Sequence, residues 1–87
     1  MRLREGDIIR TSYGTGPYRI RQLTAEGRRL HLVCEDLRPG VGRATAYLND
    51  FEQQPDGTWQ RVGSTDQLFF IERPAPRPGT QFDLFEQ

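Results

Sequence analysis

Six short apolar segments, cut apart by glycine- and proline-marked turns, leave this chain little room to become anything but an antiparallel sheet protein. The clearest is Tyr18-Arg19-Ile20-Arg21-Gln22-Leu23. Tyr18 and Ile20 fall on one side and Arg19 and Arg21 on the other, the period of a half-buried strand. Ala25-Glu26-Gly27 reads as a turn and Arg28 to Glu35 as the return strand of a hairpin. Upstream, Asp7-Ile8-Ile9-Arg10 is a first strand opened by Gly6, followed by a glycine-rich loop from Thr11 to Pro17. Downstream, Thr58 to Val62 and Gln67 to Glu72 are strands, the last with four consecutive apolar residues that predict a central position covered on both faces. Residues 43–52 carry two signals: Ala44, Tyr47, Leu48 and Phe51 have helical spacing, yet the turn at Gln54-Pro55-Asp56-Gly57 pairs the segment with an aromatic strand. A strand is expected there, with a single helical turn as the alternative. The fold class is all-β, a small antiparallel barrel or curled sheet.

The opening Gly6-Asp7-Ile8-Ile9, then Tyr13-Gly14-Thr15-Gly16 and a returning strand, is similar to the start of SH3-like and Tudor-like barrels of bacterial nucleic-acid machines. The resemblance spans about residues 5–35 and implies an SH3-like barrel.

Past this domain the chain changes character. Pro74-Ala75-Pro76-Arg77-Pro78-Gly79 is a stiff spacer, and Gln81-Phe82-Asp83-Leu84-Phe85 then sets three large apolar residues in polar surroundings. The expected organisation is a barrel domain at 1–73, a proline-rich linker at 74–80 and a flexible C-terminal tail carrying a peptide motif at 81–87. The pentapeptide resembles the bacterial sliding-clamp-binding motif, through which proteins dock on the processivity clamp of the replicative DNA polymerase. By position, Gln81 corresponds to the glutamine at the pocket rim, Asp83 to the tolerant middle position, and Leu84 and Phe85 to the hydrophobic plugs. Phe82 replaces the usual leucine. Average residue usage produces such a pattern by chance at about one position in a hundred thousand. Burying two Phe and one Leu offers roughly 5–9 kcal/mol gross. Ordering the segment subtracts a few kcal/mol, so a contact of about micromolar strength is expected. The competing reading is a strand of 81–85 folded back on its own domain, and a third has it adding a strand to a partner's sheet edge.

Composition narrows the function classes. Hydrophobic residues are 34% of 87, so the core is small and single. The net charge is zero, which argues against a strong sequence-independent grip on nucleic acid. The charge is uneven, however. Seven arginines in residues 1–29 face Glu5, Asp7 and Glu26, and every basic residue of the chain is Arg, whose fork suits phosphate and carboxylate. Arg19, Arg21, Arg28 and Arg29 share one face of the first hairpin, with Tyr13 and Tyr18 nearby for base stacking. They form the candidate nucleic-acid site, for single-stranded or duplex DNA. Against it stands a solvated hairpin face whose arginines pair with Glu5, Asp7 and Glu26. Tyr13, Tyr18, Tyr47 and Trp59 also read as an aromatic cage, with core packing of the same rings as the alternative.

Catalysis is hard to assemble from these residues. His31 is the sole histidine and lies in an apolar run, a structural position more than that of a base. Cys34 is the sole cysteine, which rules out an internal disulfide and reads as a buried, inert thiol in a reducing compartment. No metal-ligand spacing occurs. Gly14-Thr15-Gly16 is followed by proline and reads as a bend, not a phosphate cradle. Glu35 and Asp36 are adjacent and expected to be solvated. The start, Met1 to Asp7, lacks the apolar core of a signal peptide. A non-enzymatic, cofactor-free, monomeric cytoplasmic accessory protein without membrane contact is expected. The clamp is its protein partner.

Overall fold

A computed structural model of the protein describes residues 2–74. Its six strands are β1 (Ile8–Thr11), β2 (Tyr18–Glu26), β3 (Arg29–Asp36), β4 (Thr45–Gln53), β5 (Trp59–Arg61) and β6 (Gln67–Glu72). Each pairs antiparallel with its sequence neighbour, and β6 returns to β1 to close a barrel. Residues 43–52 are strand from Thr45 onward, with no helical turn. The proposed linker beyond Pro74 and the motif at 81–87 lie outside the described residues.

The barrel is uneven. β2, β3 and β4 pair along most of their length, whereas β1 holds β2 only through Tyr18 and Arg19 and β5 holds β4 only from Phe51 to Gln53. The three long strands therefore form a ribbon whose outer face is broad. Ile9, Ile20, Leu32, Leu48, Phe51 and Leu68 fill the interior, with Leu3, Tyr18 and Trp59 closing around them.

Two bulges decide which side chains face outward. Ile20 pairs with Cys34 but Gln22 pairs with Val33, so Arg21 and Gln22 together oppose one residue. A one-residue insertion reverses the alternation that follows. Leu23 consequently packs against the core although strict alternation from Ile20 would turn it outward. On β4 the register shifts between Leu30 and Leu32 of its partner, and Asp50 there has φ 64°.

β6 differs from its expectation. Leu68 is buried, Phe69 and Phe70 are half-buried and Ile71 is exposed, so only one face of the strand is covered by the core. A closed barrel has no strand sandwiched between two layers. Phe70 shares the inward side with Leu68 and packs against the core, with Arg73 5.6 Å from its ring, while on the outer side Arg10 lies 5.3 Å from the Phe69 ring.

Candidate functional site

Strand alternation puts Arg19 opposite Glu35, and Glu35 opposite Thr45, on the outer face of the ribbon. Arg21, two residues on from Arg19 and just at the β2 bulge, falls on the same face. Glu35 sits low among these side chains and is only 7% exposed. Arg43 Nη1 donates to its Oε2 at 3.1 Å, while Arg19 and Arg21 approach to 3.9 Å each. All three guanidiniums keep a large exposed fraction, 69% of the Arg43 side chain among them. One carboxylate on β3 thus anchors three arginines, two from β2 and one from the loop before β4. Beside them, Arg21, Gln22, Val33, Cys34, Thr45 and Tyr47 line a shallow concavity of about 470 Å³. Tyr47, paired across the ladder with Val33, is 67% exposed.

Of the arginines and tyrosines expected to act together, only Arg19 and Arg21 come to this face. Arg29 turns to the far end of the ribbon, 3.8 Å from Glu52 and 4.0 Å from Asp50. Arg28 stands with Leu3, Leu23, Leu30 and Trp59 at a second, open cavity of about 590 Å³ at the barrel end. Tyr18 is buried in the core because its strand parity points inward, which withdraws its ring from stacking. Tyr13 belongs to Arg61, whose Nη2 donates to its hydroxyl at 3.4 Å while the guanidinium lies 5.8 Å from the ring. The aromatic cage does not form either, since Tyr18 and Trp59 are core residues.

The acidic partners are corrected as well. The hairpin arginines meet Glu35, Asp50 and Glu52, not Glu5, Asp7 and Glu26. Glu35 and Asp36 are buried, not solvated. A fork from Arg38, backed by its own backbone N–H, holds the Asp36 carboxyl below the usual carboxylate range. Two residues of the arginine face, Arg43 and Tyr47, are not expected there from the sequence, which groups Tyr47 with the aromatic cage. Arg43 follows a glycine loop rather than a strand, and Tyr47 was absorbed into an apparent helical repeat.

The remaining chemistry is sparse. His31 Nδ1 accepts from the Asp50 backbone N–H at 3.4 Å, and Nε2 faces Glu26 at 3.4 Å without hydrogen-bond geometry. This is a structural position on the ribbon. Among the described residues no cluster of His, Cys, Asp and Glu is arranged to hold a metal, and no helix is long and apolar enough to cross a membrane. In the Gly14-Thr15-Gly16 loop the central amide is turned toward its own chain: Thr15 N–H donates to Thr11 Oγ1 at 3.0 Å. No family model matches the chain, and no curated protein or solved structure does so either.

Proposed function

We propose that this protein is a non-enzymatic accessory of the bacterial replication machinery that docks on the DNA polymerase sliding clamp through Gln81, Phe82, Asp83, Leu84 and Phe85. The observation that supports this reading is closure of the barrel upstream of the motif. β6 already pairs with β1, and the core is packed by residues from Leu3 to Leu68. A motif strand folding back would find no edge strand to extend, which weakens the reading of 81–85 as a seventh strand. Phe82, Leu84 and Phe85 then have their apolar surface to offer to another molecule. An extended proline-rich spacer of seven residues, at about 3.1 Å per residue, would span roughly 20 Å.

In this arrangement Leu84 and Phe85 fill an apolar pocket on the clamp, Gln81 hydrogen-bonds at its rim, and the barrel remains free. Titration of purified clamp with the full-length protein tests it. Binding of about micromolar strength is expected, and the Leu84→Ala, Phe85→Ala double variant is expected to lose it. Equal binding by both proteins, or none by either, overturns the reading.

A further inference from the structure

We infer that the outer face of the β2–β3–β4 ribbon is a binding surface for single-stranded nucleic acid, built from Arg19, Arg21, Arg43 and Tyr47. Three guanidiniums converge on the single carboxylate of Glu35, a surplus of two positive charges on one side of a molecule that is neutral overall. Only Arg43 makes a hydrogen bond to that carboxylate. Arg19 and Arg21 stand 3.9 Å away, close enough to be oriented and far enough to keep donors for another anion. Glu35 therefore positions the arginines without satisfying them.

Two further features point to a polyanion with aromatic bases. Tyr47 leaves two-thirds of its surface in solvent beside the Arg21 concavity, where a base can stack on its ring. Arg43 holds φ 59°, a left-handed conformation that costs an L-residue free energy and that glycine adopts freely. The loop before it already contains Gly40 and Gly42 at positive φ, so a third glycine would suit the backbone better than arginine does. Arginine at a strained position, aimed at the cationic cluster, is the kind of local cost that functional sites retain. Cations beside an exposed ring are the two kinds of contact that a phosphate and its unstacked base make. In a duplex the bases are stacked on each other, and the Tyr47 ring has nothing to receive.

The inference stands apart from the clamp reading, because none of its residues belongs to the motif at 81–85. Fluorescence polarisation of a labelled dT20 oligonucleotide with the full chain tests it. Expected are binding at 50 mM salt and a log–log salt slope of about −1.4 to −2, from two to three phosphates neutralised. Arg19→Ala with Arg21→Ala is expected to abolish binding. Tyr47→Ala should weaken it about tenfold. That ring is too exposed for its loss to unfold the protein, so the variant keeps the test valid if the arginine pair proves necessary for folding. Arg28→Ala with Arg29→Ala, and the Leu84→Ala, Phe85→Ala variant, are expected to bind as the parent does. No binding of dT20, an unchanged affinity in Tyr47→Ala, or tighter binding of a 20-base-pair duplex or of poly-glutamate would overturn the inference.

Discussion

Asp7 and Arg73 lie 66 positions apart and share two charge-assisted hydrogen bonds, Arg73 Nε to Oδ1 at 2.8 Å and Nη2 to Oδ2 at 3.0 Å. Asp7 is fully buried, and the backbone N–H of Arg4 donates to the same carboxylate at 2.8 Å. Arg73 also donates to the Arg2 carbonyl at 3.0 Å. The pair thus ties the entry to β1 to the exit from β6, beyond the point where the ladder closes the barrel.

Acid should loosen this clasp. Burial alone would push the Asp7 carboxyl up, but the hydrogen bonds from Arg73 and from the Arg4 backbone outweigh it and hold the carboxyl below its ordinary 3.8. A carboxyl depressed in the folded state gives stability that is complete above the unfolded value and is lost as pH falls through the lower, folded one. Asp7→Asn should therefore cost about 1–3 kcal/mol at pH 7, from buried donors left with a poorer acceptor. It should also lose less on acidification from pH 5 to pH 2 than the parent does. Thermal melts across that range check both, and parallel curves for the two proteins would refute the assignment.

Arg43→Gly should separate stability from binding. Glycine relieves about 1 kcal/mol of left-handed strain at φ 59°. Against that stand the lost bond from a largely exposed arginine, worth about 0–1 kcal/mol, and glycine's greater freedom in the unfolded chain. Urea titration should place the variant within about 1 kcal/mol of the parent. Because Arg19 and Arg21 still face Glu35, no buried carboxylate is abandoned.

The same bulges explain why the strands were legible in the sequence and their faces were not. Ile20-Arg21-Gln22-Leu23 and Leu48-Asn49-Asp50-Phe51 each set two polar residues between inward apolar ones. In β4 that spacing imitated a helix, because an inserted residue turns a period of two into a step of three. Strict alternation correctly put Arg19 and Arg21 outside. It could not locate Arg28, which lies in the hairpin turn at the barrel end, or Arg29, which opens β3 beside Glu52. The four-residue apolar run of β6 predicted two covered faces because the Arg10 guanidinium over outward-facing Phe69 leaves no trace in a hydrophobic pattern. Glu35 was similarly invisible: nothing in an isolated Glu-Asp pair says that three arginines will converge on it.

The barrel should fold without help from the motif. Leu84→Ala with Phe85→Ala is expected to leave the urea midpoint of the full chain unchanged, within about 0.5 kcal/mol, as substitutions away from a core do. A loss of 2 kcal/mol or more would mean that these side chains pack on the barrel, and would count against the clamp reading.

Cys34 should be chemically silent in the native state. It is 1% exposed in the core, and burial pushes its thiol up to about 12. At pH 8 almost no thiolate is present, and almost none of the residue is exposed to a reagent. Iodoacetamide is expected to label the protein in 6 M guanidinium but not in buffer over the same hour. Rapid native labelling would show that the β2–β3 ladder opens readily beside Ile20, its cross-strand partner.

Gly16 is the position in the β1–β2 loop that should tolerate a side chain least. It has φ 103°, a region closed to L-residues at ordinary cost. A Cβ there would also come within 3.3 Å of both the Arg10 Cα and the Tyr18 ring. Arg10 is held in β1 by the Phe69 ladder pair and Tyr18 by the core, so neither neighbour moves freely. Gly16→Ala should cost about 1–3 kcal/mol, measured by urea titration. Gly14→Ala, with φ 83° and open space around its Cα, should suffer from backbone strain alone and lose less. If the two variants prove equally stable, the close approach at Gly16 is not what fixes the loop against β1.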